Sequence, residues 1–430
     1  MEAVKIALLG VGTVGGGVYK VLQQNSREIE MKVGARLEVV KVLERNLERT
    51  KELGIPDEIV TTDFSEITGD PEINIVVELV GGVEAARSFV KASLEAGKSV
   101  ATANKDLIAL YGQELFEAAH EHKVDLLFEA SVGGGIPIIR PLKESLAANK
   151  IEQIIGIVNG TTNYMLTKMA QEGSDFAEVL AEAQAKGYAE ADPTSDVEGY
   201  DAARKLAILA SIGFNSRVTF PDVHVEGITK ISKEDMAYAK ELGYVVKLLA
   251  IAKESDGSIE ARVHPAFLPT NHPLASVNDV FNAIFVRGDA VGDTMFYGRG
   301  AGELPTASAV AGDIMEAARN ILHRDRGRHG CTCYDQKPIK DIGDTRSKYF
   351  VRLVVLDKPG VLASIASVFG NQDVSLNSVI QKRKIGEMAE LVFVTHEVLD
   401  RNIQDSLAII KAMPTVESVA NLIRVEGDEF

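Results

Sequence analysis

Cysteine is nearly absent, with only Cys331 and Cys333 in a chain of 430 residues. Two thiols one residue apart cannot staple a chain of this length, which fits a reducing cytoplasm and excludes a disulfide scaffold. Cys-x-Cys offers half of a metal site, but only His323 and His329 stand nearby, and typical zinc-ligand spacing does not favour it. The pair reads as part of a linker without an essential role. Long apolar runs are also missing, and nothing approaches the roughly eighteen residues of a membrane span. The opening Met1-Glu2-Ala3-Val4-Lys5-Ile6 has neither a basic region nor a cleavage site, so no signal peptide is expected. Positive charge is in deficit: 46 Lys and Arg face 62 Asp and Glu, a net −16. That balance argues against nucleic acid or an anionic membrane as main partner.

What is present is ordinary globular material, 46% hydrophobic and 25% charged, so the chain has enough apolar residues for real cores. Its length calls for roughly two to four of them. The first is announced at once. Val4–Leu9 reads as a buried parallel strand, followed by Gly10-Val11-Gly12-Thr13-Val14-Gly15 and a helix from Val14 to Gln24. This is G-x-G-x-x-G in a strand–turn–helix setting. Its glycines permit a tight turn and close backbone approach, and the helix N-terminus faces a pyrophosphate. The plainer alternative is a glycine turn that only packs helix on strand.

A second strand, Arg36–Leu43, ends at Glu44-Arg45-Asn46. An acid there favours the ribose hydroxyls of NAD, and an arginine favours the extra phosphate of NADP. With both present the reading leans to NADP through Arg45, with dual use open. Strands at Ile73–Val80, Lys98–Thr102 and Val124–Glu129 alternate with helices at Val83–Ala96 and Gln113–Glu121. That alternation implies a doubly wound parallel sheet of Rossmann type, an α/β fold, with ligands beyond the carboxyl ends of its strands. Gly81-Gly82, Thr102–Lys105 and Ala130–Ile136 emerge there, which puts Thr102 and Lys105 at the mouth of the site as cofactor or substrate contacts. Glu129–Pro137 holds three successive glycines. Composition favours a hinge; a cation held by carbonyls and the Glu129 carboxylate is the alternative.

From Ile151 the texture changes to an α+β pattern. Strands are expected at Ile151–Val158, Val245–Ala252, Ile259–Leu268 and Ala283–Gly288, with Asn159–Asn163 a polar turn opening a helix. The stretch Lys186–Ile208 carries the chemistry. It opens as a loop with Glu190, Asp192 and Pro193, then turns into a helix at Ser195 with Glu198 completing a capping box. Asp201 and Lys205, four residues apart, leave the same face. An acid and an amine beside the Glu190 carboxylate suit a polar substrate and a proton transfer; an ordinary surface ion pair is the bland alternative. A second glycine-rich loop, Tyr297–Thr306, precedes a helix at Ala307–Leu322. Residues 323–347 read as linker. Beyond it Tyr349–Leu356, Val361–Phe369, Val374–Gln381, Met388–Thr395, Arg401–Lys411 and Val416–Arg424 run βαββαβ, the ferredoxin-like split unit, long enough for a small separate module.

With these motifs in place the chain resembles the homoserine dehydrogenase family over its whole length: Gly10–Gly15, Thr102–Lys105, Glu129–Pro137, Asn159–Tyr164 and Gly187–Lys205 carry the likeness. The tail resembles an ACT domain, with Asp357–Leu362 as its signature turn. The arrangement is similar to the monofunctional enzymes, with no aspartate-kinase portion expected ahead of it. The resemblance implies a cofactor domain at 1–136, a substrate and dimerisation domain at 137–322 whose 307–322 segment packs back on the first, a linker at 323–347 and an ACT domain at 348–430. It implies reversible NAD(P)H-dependent reduction of L-aspartate 4-semialdehyde to L-homoserine, in threonine, methionine and isoleucine biosynthesis. Lys205 would supply the proton and Lys105 polarise the oxygen, each amine lowering the other's pKa. Glu190 would hold the substrate ammonium, and Asp201 would orient Lys205 or bind substrate. Gly302 would close over the cofactor. A monovalent cation, sodium, would sit at Glu129 and the backbone of Val132, Gly134 and Ile136. Threonine is the implied effector, with Gly360 and Asn377 as contacts, and the ACT tail implies a homo-oligomer, dimer or tetramer.

Two other classes compete. An acylating aldehyde dehydrogenase needs a thiolate nucleophile, and both cysteines lie past the substrate domain. A non-catalytic dinucleotide and amino-acid sensor would leave Lys105 and Lys205 unexplained.

Overall fold

The computed structural model describes residues 3–328 and 330–427, with backbone alone at 382–385. The chain divides into two compact units. The first comprises Met1–Ile154, Arg204–Pro221 and Asn282–Gln336; the second comprises Ile155–Ala203, Asp222–Phe281 and Lys337–Phe430.

In the first unit, β1 (Ala3–Leu9), β2 (Arg36–Leu43), β3 (Val60–Thr61), β4 (Ile73–Glu78), β5 (Ser99–Thr102) and β6 (Leu126–Leu127) form a parallel sheet in the order β3-β2-β1-β4-β5-β6. The order reverses between β1 and β4, which is where ligands lie in such sheets. Ile6 and Leu8 of β1 and Ile75 and Val77 of β4 are fully buried in one core, each contributing about 1.5–3 kcal/mol of apolar burial. Ala307, Val310, Ile314, Ala317 and Ala318 from the helix Glu303–His323 join that core. Close approach needs small residues, and a Cβ at Gly17 would stand 2.9 Å from Glu303 and 3.0 Å from Ala307.

Three expectations need correction here. The helix after β5 begins at Lys105, not Gln113, because the Asn104 side chain accepts from the Leu107 N–H at 3.1 Å and caps it. The late helix starts at Glu303 rather than Ala307, since Pro305 falls in its first turn, where no N–H partner is needed. The strand expected at Val124–Glu129 is only two residues long, and Glu129–Ser131 turns as a 3-10 helix.

Next along the chain come β7 (Ile151–Ile157) and β8 (His224–Val225), and the second unit is built on a sheet in which β9 (Tyr244–Ser255) and β10 (Ser258–Pro269) pair antiparallel along their whole length; β11 (Phe281–Gly288) and β12 (Gly292–Arg299) follow in sequence. The C-terminal strands β13 (Arg346–Leu356), β14 (Leu376–Ile385), β15 (Met388–Thr395) and β17 (Val416–Val425) are ordered β17-β13-β15-β14, with β16 (Val398–Leu399) pairing β13. Tyr349, Val351, Leu353 and Val355 alternate along β13 onto one face. There they bury against Val361, Ile365 and Phe369 of the helix Val361–Asn371 and Ile403, Leu407 and Ile410 of the helix Asp400–Lys411. This is the expected βαββαβ unit, but it does not stand apart. β17 runs parallel to β10, pairing Arg424 with Ala266 and Val425 with Phe267. On its opposite face Arg352 donates to Asp235 of the helix Lys233–Glu241 at 2.9 Å and to Glu390 at 3.1 Å.

Beneath that junction lies a buried charge network. Arg262 has no exposure and pairs with Glu260 at 2.8 Å and Glu426 at 3.0 Å, while donating to Ser347 at 2.8 Å. Arg424 pairs with Glu226 at 2.6 Å and Asp400 at 2.7 Å. His264 sits among them fully buried; burial first, then Arg424 and Arg262, push its imidazole down to about 3. Its folded pKa is thus below the unfolded value of about 6.5, so between the two the unfolded chain binds more protons. The stability present above pH ~6.5 is lost as pH falls toward 3. His264→Gln should flatten that loss relative to the native chain, read as urea midpoints across the same pH range; parallel curves would show that the imidazole does not contribute.

Candidate functional site

The glycine loop after β1 shows why it has those glycines. Gly10 has φ +86, and a Cβ there would lie 2.8 Å from the Leu79 carbonyl; at Gly15 it would lie 2.1 Å from the Gly10 carbonyl. Gly12 faces open space. The helix Thr13–Gln24 has no side-chain cap and no acid in its first turn, which suits it to a pyrophosphate. Val11 lies in the same loop, and Thr13 and Val14 open the helix. The residues therefore fit a dinucleotide.

Glu44 accepts from the backbone N–H groups of Val11 at 2.9 Å, Arg45 at 2.8 Å and Asn46 at 2.9 Å. Burial opposes its charge, but those donors hold it below the usual carboxylate range. Three of its roughly four lone-pair positions are thereby used, so its main work is to pin the loop. Arg45 is exposed beside it. Arg49, which the sequence reading passed over, donates from Nε to the Val11 carbonyl at 3.3 Å and pairs with Glu52 at 3.0 Å.

At the ends of β4 and β5 a second cluster forms. Glu78 is fully buried, its carboxyl pushed up by burial, and it accepts from Thr102 Oγ1 at 2.7 Å and the Val80 N–H at 3.0 Å. Thr102 in turn accepts from the Asn104 N–H at 3.0 Å, and Asn104 Nδ2 donates to the Gly82 carbonyl at 2.6 Å. The loops are thus tied together and set Lys105 at the first turn of its helix. Lys105 Nζ lies 3.9 Å from Asp106, whose other oxygen lies 3.1 Å from Arg204 Nε. Asp106 joins the helix that begins with Lys105 to the one that carries Arg204 and Lys205. An acid directly after Lys105 was the available signal.

The triple glycine is a packing device. A Cβ on Gly134, at φ +54, would stand 2.4 Å from the Gly300 carbonyl, and the Gly135 N–H donates to the Arg299 carbonyl at 3.1 Å. Glu129 is buried and accepts from the N–H groups of Ile138, Ile139 and Arg140 at 2.6–2.8 Å. Its own N–H donates to Asp313 at 2.8 Å, and Asp313 also pairs with Arg140 at 2.8 Å. Burial and the Glu129 charge push the Asp313 carboxyl up to about 7. Those three donors leave Glu129 about one lone-pair position. Gly302, with φ +121, begins the helix Glu303–His323, whose Glu303 pairs with Lys20 at 2.6 Å.

In the second unit Asn159 caps the helix Gly160–Glu172 by accepting from the Thr162 N–H at 2.9 Å. Its Nδ2 donates to Asp196 at 2.7 Å and to Asp201 at 2.9 Å, holding the buried Asp201 carboxylate in place. The capping box expected at Ser195 and Glu198 does not form as one continuous helix start. Asp192 instead accepts from Thr194 N–H and Oγ1 at 3.1 and 2.6 Å, a short helix runs Thr194–Val197, and Gly199 at φ +82 breaks the chain before the helix Tyr200–Gly213. Glu190 is exposed. Gly360, with φ +90, starts the helix Val361–Asn371, and the exposed Asn377 lies in a bulge between the Leu376 and Ser378 pairings. Of the metal reading at Cys331 and Cys333, His329 lies outside the described residues; among those described, no group of three or more His, Cys, Asp or Glu gathers to hold an ion. No helix among them is long and apolar enough to cross a membrane.

Family models match in three places: the NAD-binding domain of homoserine dehydrogenase at residues 10–129, homoserine dehydrogenase at 137–315 and the ACT domain at 349–415. The homoserine dehydrogenase of Bacillus subtilis is 44% identical over 430 residues, 100% of this chain and 99% of its own. The chain belongs to the homoserine dehydrogenase family. The Corynebacterium glutamicum homoserine dehydrogenase is 47% identical, covering 99% of this chain and 96% of its own. A crystal structure of a homoserine dehydrogenase from Thiobacillus denitrificans superposes with a TM-score of 0.94 at 43% identity, covering 99% of both chains. A hyperthermophilic archaeal homoserine dehydrogenase mutant in complex with NADPH matches 74% of this chain at 31% identity, with 98% of its own chain covered and a TM-score of 0.63. The family makes this chain an NAD(P)-dependent oxidoreductase.

Proposed function

We propose that the chain reduces L-aspartate 4-semialdehyde to L-homoserine, reversibly and with NADPH preferred, in the biosynthesis of threonine, methionine and isoleucine. The observation that carries this reading is the Lys105–Asp106–Arg204 chain of contacts, which joins the helices bearing the two lysines. Bound NAD(P)H supplies the hydride. Lys205 donates the proton to the aldehyde oxygen, and Lys105 polarises that oxygen from the first turn of its helix. Glu190 takes the substrate ammonium and Asp201 orients or binds the substrate, as the family resemblance implies. The preference for NADP is supported by Glu44, which is engaged by the glycine loop, and by Arg45 and Arg49 beside it. Thr102, Lys105 and Gly302 complete the cofactor contacts.

A monovalent cation, sodium, would be held by Glu129 and the backbone of Val132, Gly134 and Ile136, and would shape the turn without entering the reaction. Threonine acts through the ACT region at Gly360 and Asn377, and the chain works in the cytoplasm as a homo-oligomer, dimer or tetramer. Following NADPH consumption with aspartate 4-semialdehyde, then with NADH, then with threonine added, tests the reading. Turnover that is faster with NADPH and slowed by threonine is expected. No turnover with either cofactor would overturn it.

A further inference from the structure

Away from the proposed chemistry, the first unit holds a small pocket of about 30 Å³ whose lining includes Phe116, Phe128, Lys143, Arg217, Cys331 and Cys333. Its contents are not those of an idle linker. Arg217 Nη2 lies 3.7 Å from Cys331 Sγ, and Cys333 Sγ lies 3.8 Å from the Ser211 carbonyl. The Lys143 ammonium sits over the rings of Phe116 and Phe128, at 5.2 and 5.1 Å, and donates to the Gly330 carbonyl at 3.2 Å, next to Cys331. Cys331 is exposed and Cys333 is half-buried. An exposed thiol beside two cations, with a second thiol behind it, is the arrangement that makes one sulfur an attacking thiolate and the other a resolving group.

We propose that Cys331 and Cys333 form a thiol–disulfide exchange site for small-molecule disulfides, with Cys331 attacking and Cys333 resolving. The electrostatics agree. A hydrogen bond from Cys333, aided by Arg217 and Lys143, draws the Cys331 thiol well below the ordinary range. The same bond, together with burial, pushes Cys333 up, so it holds its proton until the second step. In the first step the Cys331 thiolate attacks one sulfur of the disulfide. That S–S bond breaks, a mixed disulfide forms on Cys331, and the first small thiolate leaves and takes a proton from solvent. In the second step Cys333 gives up its proton to solvent. Its sulfur then attacks Cys331, expelling the second thiolate, which is protonated in turn. The two protein thiols are oxidised to one disulfide, and the small disulfide is reduced to two thiols.

Oxidised glutathione on the full chain, followed by peptide mass spectrometry, tests the assignment. The native chain should yield a Cys331–Cys333 disulfide. Cys333→Ser should stop at a mixed disulfide on Cys331, and Cys331→Ser should react about tenfold more slowly or less. Iodoacetamide labelling of Cys331 in Cys333→Ser and in Arg217→Gln should reach half-maximal rate at higher pH than in the native chain. Glutathione accumulating on Cys333, a native mixed disulfide that never resolves, or a native labelling midpoint at the ordinary thiol value of about 8.5 would each overturn the proposal.

Discussion

Lys205→Ala should lower kcat for NADPH-dependent reduction of aspartate 4-semialdehyde by about 10²–10⁴-fold, the range for losing a positioned proton donor. Hydride reaching the aldehyde carbon leaves charge on oxygen, and without a proton the product reverts. The substitution leaves the glycine loop untouched, so NADPH affinity, read by fluorescence titration, should hold within a factor of about two or three. The loss should appear in kcat and kcat/KM alike. A variant within about threefold of native kcat would move the proton-transfer role elsewhere, and Lys105 would be the next residue to change.

Arg262→Met should destabilise the second unit by about 3–5 kcal/mol, because Glu260 and Glu426 would keep their burial and lose their main counter-charge. Methionine matches the stem of arginine closely enough that packing alone should not account for this. The loss should show as a lower urea midpoint. Adding Glu426→Gln to Arg262→Met should recover part of it, since one stranded carboxylate would be gone. A single variant less than about 1 kcal/mol from native would mean that water reaches those carboxylates after all.

The Rossmann loop could be read because its demands are local: Gly10 and Gly15 are dictated by atoms a few residues away or at the end of the neighbouring strand. Lys105 was correctly set beyond a strand, but its helix was placed too late, since the capping asparagine went unrecognised. The strand β12 (Gly292–Arg299) escaped notice because none of its residues is fully buried, so no apolar alternation marks it. The false helix start at Ser195 arose from a valid spacing that Asp192 and Gly199 override locally. Nothing in spacing could have paired Arg262 with Glu426, or Arg424 with Glu226, across so much chain; such partners exist only once the sheet has formed. Asn159 is different, since it stood within a motif already singled out, and Asp106 directly follows one; only their partners were hidden.

The parallel pairing of β17 with β10 sets a limit on trimming this protein. A chain shortened ahead of Arg346 would lose more than its ACT domain. It would uncover the backbone of Ala266 and Phe267 and strip Asp235 of Arg352. A bare strand edge of that kind invites the edge of another molecule. Truncation would therefore come with insolubility, and the proposed effector role of the Gly360 turn is better tested through point changes there.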